Sequence, residues 1–157
     1  MPRSVTPTKR YEMKKSINFW ALPYPEKMTL RQALELCKEA GFDGVELNFD
    51  EKGEISPEAS DRDLHAIGQM ARAIGVQISG LCSFLFWPYS LTHEDPKKRE
   101  RGLELARHMI RACKAMGTEN LLIVPGSVYA AWVPDAPPVP FDVCERRAKE
   151  AVRQLLP

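Results

Sequence analysis

The chain has 157 residues and a mass of 17.8 kDa, with 44% hydrophobic and 27% charged residues, a composition typical of one globular domain. A net charge of +1 excludes the strong overall field that draws proteins to nucleic acid or to anionic membranes. Residues 1–15 contain five basic side chains and one acidic side chain, a net charge of +4, so residues 16–157 carry −3. Because this basic segment precedes any periodic apolar pattern, we expect a flexible arm over residues 1–15 rather than a nucleic-acid-binding one.

Targeting and membrane-spanning signals are weak. The apolar segment Ser16–Leu22 is too short for a signal peptide and runs into Pro23 and Pro25. Residues 73–92 lack charge over a length that could cross a membrane, but glycine, serine and proline interrupt them, so we predict a buried strand and a loop. We therefore expect a cytoplasmic protein that binds no membrane. The cysteines are widely spaced and are expected to be reduced, buried thiols: Cys37, Cys82, Cys113 and Cys144.

Four strand–helix units follow one another along the chain. Strand-like apolar runs are predicted at residues 16–21, 42–49, 76–82 and 120–125. A helix with apolar residues at three- and four-residue spacing follows each of them. A residue suited to cap a helix N-terminus precedes each helical pattern: Thr29, Ser60, Asp95 and Asp142. Glycines at positions 41, 75 and 117 are predicted to end the first three helices in a left-handed conformation.

This alternation predicts right-handed crossovers and a parallel sheet, which fits either an open doubly wound sheet or a (β/α)8 barrel. Glu46 and Asn48 share one face of the second strand, opposite Val45 and Leu47, whereas a central strand of an open sheet is normally apolar on both faces. Long loops follow the third and fourth strands, as they do at the mouth of a barrel. Both features favour an α/β fold of the (β/α)8 TIM-barrel type. A full barrel needs about 250 residues, so this chain is too short to form one. Residues 16–157 supply four of its units, the N-terminal half-barrel.

Three segments carry a resemblance to a known family: GFDGVELNF (Gly41–Phe49), AIGVQISGLCS (Ala73–Ser83) and KAMGTENLLIVPG (Lys114–Gly126). Together they resemble the xylose-isomerase-like TIM barrels. Within that group they are most similar to the sugar or sugar-phosphate isomerases and epimerases, which include tagatose-type 3-epimerases and hydroxypyruvate isomerases. The resemblance runs from about residue 15 to residue 156 and keeps its register over four units, so it corresponds to the N-terminal half of that fold.

The resemblance implies a full barrel that holds one divalent metal ion (Mn, Mg, Co or Zn) and moves a proton at the carbon next to a carbonyl. In the family two glutamates, an aspartate and a histidine from the later strands bind the metal, and the two glutamates act as bases. Those strands have no counterpart before Pro157, so no catalytic residue and no metal ligand is carried over. We expect this chain alone to be inactive and without a cofactor. The matching positions would line the side that faces a small sugar or sugar phosphate: Trp20, Glu46, Cys82, Ser83 and Gly126.

The residue types at this predicted mouth leave several interpretations open. A Glu46 carboxylate can accept a hydrogen bond from a sugar hydroxyl, but it can equally reach solvent or pair with a basic side chain. Trp20 can form an apolar wall for a sugar ring or pack in the core. The aromatic run Phe84–Tyr89 covers a substrate at the barrel mouth, lies in a subunit contact or simply packs within the fold.

The histidines do not predict a metal centre. His65 and His108 fall within predicted helices as solvated or packed side chains. His93, Glu94 and Asp95 adjoin one another on a loop, but consecutive side chains point apart, whereas a hard divalent ion needs clustered oxygen ligands. Asp95 also serves as the predicted helix cap. We therefore predict no metal ligand in this group.

Three other hypotheses stand beside the enzyme. A non-catalytic half-barrel could serve as an assembly module, because four units leave two strand edges unpaired. The expected partner is then a second copy in a homo-oligomer or a complementary half-barrel. An abasic-site endonuclease of the same fold is disfavoured, because such enzymes bind several metal ions through many histidines and this chain has three. The negative charge of residues 16–157 also predicts that the protein binds no nucleic acid. A flavodoxin-like open sheet is disfavoured by polar residues on an inner strand and by the missing phosphate-binding loop.

Overall fold

The computed structural model describes residues 13–134 and 136–156, so the predicted arm at residues 1–15 lies outside the described residues except for its last three. The described strands are β1 (Ser16–Asn18), β2 (Gly44–Asn48) and β3 (Gln77–Cys82). The described α-helices are α1 (Leu30–Glu39), α2 (Asp61–Ile74), α3 (Pro96–Met116) and α4 (Phe141–Leu155). Two short 3-10 helices cover Phe19–Ala21 and Phe84–Phe86. In this part of the chain, no helix has both the length and the apolar character needed to cross a bilayer.

The three strands form one parallel sheet in the order β1-β2-β3. Its core joins residues of the strands to residues of α1, α2 and α3: Val45, Leu47, Leu81, Leu34, Leu64 and Leu105. Helices that pack onto a parallel sheet bury the apolar face that neither element can bury alone. The parallel sheet and the alternation of strands and helices predicted from the sequence are confirmed for the first three units.

Alternation along β2 separates an apolar face from a polar one. Val45 and Leu47 are fully buried, whereas Glu46 and Asn48 are only partly buried. Successive side chains of a strand point to opposite faces, so the predicted division of these four residues is confirmed. We call the face that carries Glu46 and Asn48, together with Ser16 and Asn18 of β1 and Ser79 of β3, the inner face. Side chains of this face stay half-buried or exposed in the structure.

Three of the four predicted helix caps are confirmed. The side chains of Thr29, Ser60 and Asp95 each accept a hydrogen bond from a backbone N–H of the first turn. The prediction for Asp142 is wrong, because α4 begins at Phe141 and has no side-chain cap. Pro140 precedes it with φ −54°, a value already close to helical. Asp142 instead lies in the first turn, where its charge favours the helix dipole.

β1 is shorter than the strand predicted over residues 16–21. It ends at Asn18, because the Asn18 side chain accepts a hydrogen bond from the Trp20 N–H at 2.7 Å and starts the first 3-10 helix. The prediction that Trp20 lies within a strand is therefore wrong. Trp20 lies in the turn immediately after β1, where the chain leaves the sheet.

The predicted fourth strand, residues 120–125, is reduced to a single bridge between Leu81 and Leu121. The Leu122 N–H donates to the Leu81 carbonyl at 2.9 Å, but β3 ends one residue later. The next residue, Ser83, caps the second 3-10 helix. Residues after Leu122 consequently have no β3 backbone beside them, and a parallel strand cannot continue without a partner.

Candidate functional site

Four polar side chains meet on the inner face at the C-terminal ends of the strands. We call Asn18, Glu46, Asn48 and Cys82 the polar cluster. The sheet register brings them together, since Asn18 pairs with Glu46 and Asn48 pairs with Cys82. Parallel α/β folds build their binding sites at the carboxyl ends of their strands. The polar cluster is therefore the candidate functional site.

Glu46 is held in this cluster by a short hydrogen bond. The Asn18 Nδ2 donates to Glu46 Oε2 at 2.6 Å and also lies 3.1 Å from Cys82 Sγ. Among the described residues, no lysine or arginine forms an ion pair with Glu46. The other oxygen, Oε1, lies beside Gly80, where a Cβ would be 3.5 Å away. A positioned carboxylate oxygen without a cationic partner is a strong acceptor for a ligand hydroxyl.

Asn48 connects the polar cluster to Trp20. With its amide oxygen turned toward the indole, Asn48 accepts hydrogen bonds from Trp20 Nε1 at 3.0 Å and from Trp20 N at 3.3 Å. Trp20 is 52% exposed and meets Phe84 edge to face with ring centres 5.7 Å apart. Trp20 thus lies at the rim of the polar cluster and not in the core, and its apolar ring adjoins the Asn48 amide.

Cys82 and Ser83 are buried and bonded within the fold. Burial raises the pKa of the Cys82 thiol to about 11, so the thiol stays neutral near pH 7 and is a weak nucleophile and metal ligand. The Ser83 Oγ donates to the Phe49 carbonyl at 2.8 Å and accepts from the Leu85 N–H at 3.1 Å. The Ser83 hydroxyl proton is therefore engaged by the Phe49 carbonyl. A role of either residue in substrate binding stays a prediction.

At Gly126 the nearest side-chain atoms belong to Thr92. A Cβ at this position would lie 2.1 Å from Thr92 Cγ2, so the loop backbone passes too near for a larger residue. The structure accordingly brings Trp20, Glu46 and Cys82 together and places Gly126 beside Thr92. Asn18 and Asn48 belong to the cluster but were not among the predicted site residues. The period-two pattern of the strands is the sequence signal that could have included them.

The donors of the polar cluster do not suit the divalent ion that the resemblance implies. Glu46 contributes one carboxylate, Asn18 and Asn48 contribute neutral amides, and the Cys82 thiol is protonated. Hard divalent ions are held by several oxygen ligands that include carboxylates. Within residues 13–134 and 136–156 no group of three or more His, Cys, Asp and Glu side chains is close enough to hold a metal.

The loop group His93, Glu94 and Asp95 is built into the fold. His93 is buried, and its Nδ1 accepts a hydrogen bond from the Asp95 N–H at 2.9 Å. Arg99 donates to the His93 carbonyl at 2.6 Å, and Arg147 donates to the neighbouring Thr92 carbonyl at 3.1 Å. These bonds tie the loop to α3 and α4, so it acts as a structural support.

The raised pKa of Cys82 predicts a loss of stability in alkali. The thiol stays protonated in the fold until about pH 11, but it ionises near its ordinary value of 9.0 in the unfolded chain. The unfolded state then binds fewer protons, so the free energy of unfolding falls as the pH rises from 9 to 11. We expect Cys82 to contribute about 2–3 kcal/mol to this fall, measured by urea unfolding at each pH. Cys82→Ala should make the decline shallower. The pKa of Cys113 is also about 11, but Cys113 is present in both proteins and contributes equally to both slopes. Identical slopes for the wild type and Cys82→Ala would therefore contradict the prediction.

Residues 34–157 match the family model of the xylose isomerase-like TIM barrel. Comparison with curated proteins finds no match. Among solved structures, the chain resembles the apo form of 3-keto-D-glucoside 4-epimerase from E. coli with a TM-score of 0.67 and 16% identity, covering 92% of this chain and 51% of that one.

Two D-psicose 3-epimerase structures are also similar. One, solved in the presence of D-fructose, has a TM-score of 0.69 and 18% identity. The other, from Clostridium cellulolyticum H10 with D-tagatose, has a TM-score of 0.69 and 14% identity. Each match covers 91% of this chain and 47% of the other, so the chain spans about half the length of these structures. The family model matches most of the chain, and the similar solved structures share its fold. The chain therefore belongs to the xylose isomerase-like TIM barrel family, of which it forms a half-barrel portion.

Proposed function

We propose that this chain forms the N-terminal half of a sugar isomerase or epimerase and binds a small sugar or sugar phosphate at the polar cluster. One observation carries the proposal. The Glu46 carboxylate is positioned by Asn18 at the mouth of the sheet, has no ion pair among the described residues and lies near the half-exposed ring of Trp20. A carboxylate and amides beside an aromatic ring match the hydroxyls and the C–H face of a sugar. The names of the similar epimerases, 3-keto-D-glucoside 4-epimerase and D-psicose 3-epimerase, state that those proteins act on sugars, which supports the proposal.

The polar cluster provides binding and orientation in this proposal. Glu46 accepts a sugar hydroxyl through Oε1, since Asn18 already donates to Oε2. Proton transfer next to a carbonyl also needs a positioned base and a group that stabilises the negative charge of the enolate. The described cluster contains a single carboxylate and no cation. We therefore propose that this chain alone is inactive and needs no cofactor. The divalent ion belongs to the full-length barrel in this proposal, and the protein acts in the cytoplasm.

Replacing the Glu46 charge tests this proposal. Glu46→Gln is expected to weaken the binding of D-fructose about tenfold or more, because a hydrogen bond to a charged acceptor becomes a neutral one. Binding is followed by the fluorescence of the tryptophans and by NMR. Glu39→Gln, which changes an exposed carboxylate at the end of α1, is the matched control and should bind as the wild type does. Equal binding by Glu46→Gln, or ketose interconversion by the purified chain, would contradict the proposal.

A second candidate, an assembly module, is favoured by the open inner face. Leu122 follows the single bridge to β3 and is 51% exposed. Pairing with a second copy, or with a complementary half-barrel, would cover such a surface. We expect sedimentation velocity to show a species larger than one chain, and Leu122→Asp to shift it toward the monomer. Leu36→Asp, on the partly exposed side of α1, is the control. A monomer at tens of micromolar would rule out pairing with a second copy.

A further inference from the structure

Aromatic rings continue outward from the polar cluster in a chain of contacts. We call Trp20, Phe84, Trp87 and Trp132 the aromatic row. Their successive ring centres are 5.7, 6.4 and 5.1 Å apart, and the residues come from the segments after β1, after β3 and before α4. Trp20 joins the row to the polar cluster through its hydrogen bond with Asn48. All three tryptophans of the chain belong to this row.

The loop that carries Trp132 is anchored at its base. The Val139 N–H donates to the Val128 carbonyl at 2.8 Å and closes the loop. Thr92 Oγ1 both accepts from the Ser127 N–H and donates to the Ser127 carbonyl, each at 3.1 Å. Trp132 is nevertheless 62% exposed. Trp20 and Phe84 are also more than half exposed, so the row is a contiguous set of exposed rings, the kind of patch that marks a binding surface.

We propose that the aromatic row binds a second ring of the substrate, so that the substrate is a glycoside with a further sugar ring and not a free monosaccharide. The inference rests on the proposed function. One sugar ring would occupy the polar cluster beside Trp20, where Glu46 and Asn48 meet its hydroxyls. Three ring contacts separate Trp20 from Trp132, so Trp132 lies at the end of the row opposite the polar cluster. The exposed ring of Trp132 would pack against the C–H face of the second sugar, whose hydroxyls stay in water. Trp87 meets Trp132 edge to face, with 72° between the ring planes, and so supports that ring from the side.

The same row suits a sugar for a chemical reason. Tryptophan offers a large apolar surface with an N–H at one edge, which matches a ligand that is apolar on one face and polar at its rim. Binding energy from a part of the substrate that does not react can hold the reacting part in place. The row therefore adds affinity and orientation without taking part in proton transfer.

Two glycosides distinguish this subsite from the first one. Methyl β-D-glucoside supplies one ring and methyl β-cellobioside supplies two, and both are titrated into the full chain. We expect the disaccharide to bind roughly threefold to tenfold more tightly, the gain from one or two aromatic contacts. In NMR spectra the monosaccharide should shift the indole N–H signal of Trp20, and the disaccharide those of Trp87 and Trp132 as well.

Trp132→Ala should abolish the preference for the disaccharide and leave monosaccharide binding unchanged, whereas Trp132→Phe should restore most of the preference. Tyr129→Ala removes an exposed ring of the same loop outside the row and should retain the preference. Equal affinity for both sugars, or a preference that survives in Trp132→Ala, overturns the subsite while leaving the proposed function intact. A chain that binds neither sugar overturns both. Signals of Trp132 that shift with protein concentration and not with sugar identify a subunit contact and overturn the subsite.

Discussion

Leu47→Ala is expected to lower the free energy of unfolding by about 3–5 kcal/mol. Leu47 lies in the middle of the sheet and is fully buried against the helices. Truncating a buried leucine loses both its transfer free energy and the contacts around the cavity that remains. Urea unfolding followed by circular dichroism measures the change, because the loss should appear as a lower midpoint with an unchanged slope.

The neighbouring residue supplies the control for Leu47. Asn48→Ala changes the next position of β2, which faces the other way and is only partly buried. We expect it to cost about 1 kcal/mol, the net value of a hydrogen bond, and to affect the fluorescence of Trp20, which Asn48 contacts. Equal losses for the two variants would contradict the alternation of β2. Glu46 would then not belong to the inner face, and the candidate site would have to be abandoned.

Gly68→Ala should destabilise the protein although alanine is the better helix former. Gly68 is buried in α2, where a Cβ would lie 2.2 Å from the carbonyl oxygen of Met116 at the end of α3. The obstacle is backbone, so α2 and α3 must move apart. Overpacking of this kind costs about 1–3 kcal/mol, and helix propensity recovers no more than about 1 kcal/mol of it.

Arg62→Ala is the control for Gly68, because it alters an exposed side chain of the same helix. Thermal unfolding should show a lower midpoint for Gly68→Ala and little change for Arg62→Ala. A gain in stability for Gly68→Ala would mean that helix propensity outweighs the contact, and that α2 and α3 do not approach as closely as the structure has them. The candidate site depends on this contact indirectly, since α2 and α3 both pack against the sheet that carries the polar cluster.

The open inner face explains why binding and catalysis separate in the proposed function. Asn18 of β1 and Glu46 and Asn48 of β2 lie side by side on two neighbouring strands and are oriented by hydrogen bonds among themselves and with Trp20. Such a group can select and orient a ligand, because its hydrogen-bonding atoms are already in place. A barrel that covers the inner face would also exclude water and strengthen these interactions.

Local features of this chain could be read from the sequence. Thr29, Ser60 and Asp95 are caps because each side chain bonds to an N–H only two or three residues away, and the alternation of Val45 with Glu46 follows from the geometry of a single strand. The family, too, could be identified from contiguous segments, two of which contain β2 and β3.

Contacts between distant residues required the tertiary structure. The bond between Asn18 and Glu46, the indole of Trp20 on Asn48 and the Trp87–Trp132 contact join parts of the chain that only the packing of strands and loops brings together. The prediction of a fourth strand was wrong for the same reason, since an apolar run forms a strand only where a neighbouring strand continues beside it. The sequence by itself determined the elements, their order and the polar face, because these depend on local periodicity. Tertiary structure alone decided which polar and aromatic side chains share a site, because strand register and loop anchoring depend on partners that lie far apart in the chain.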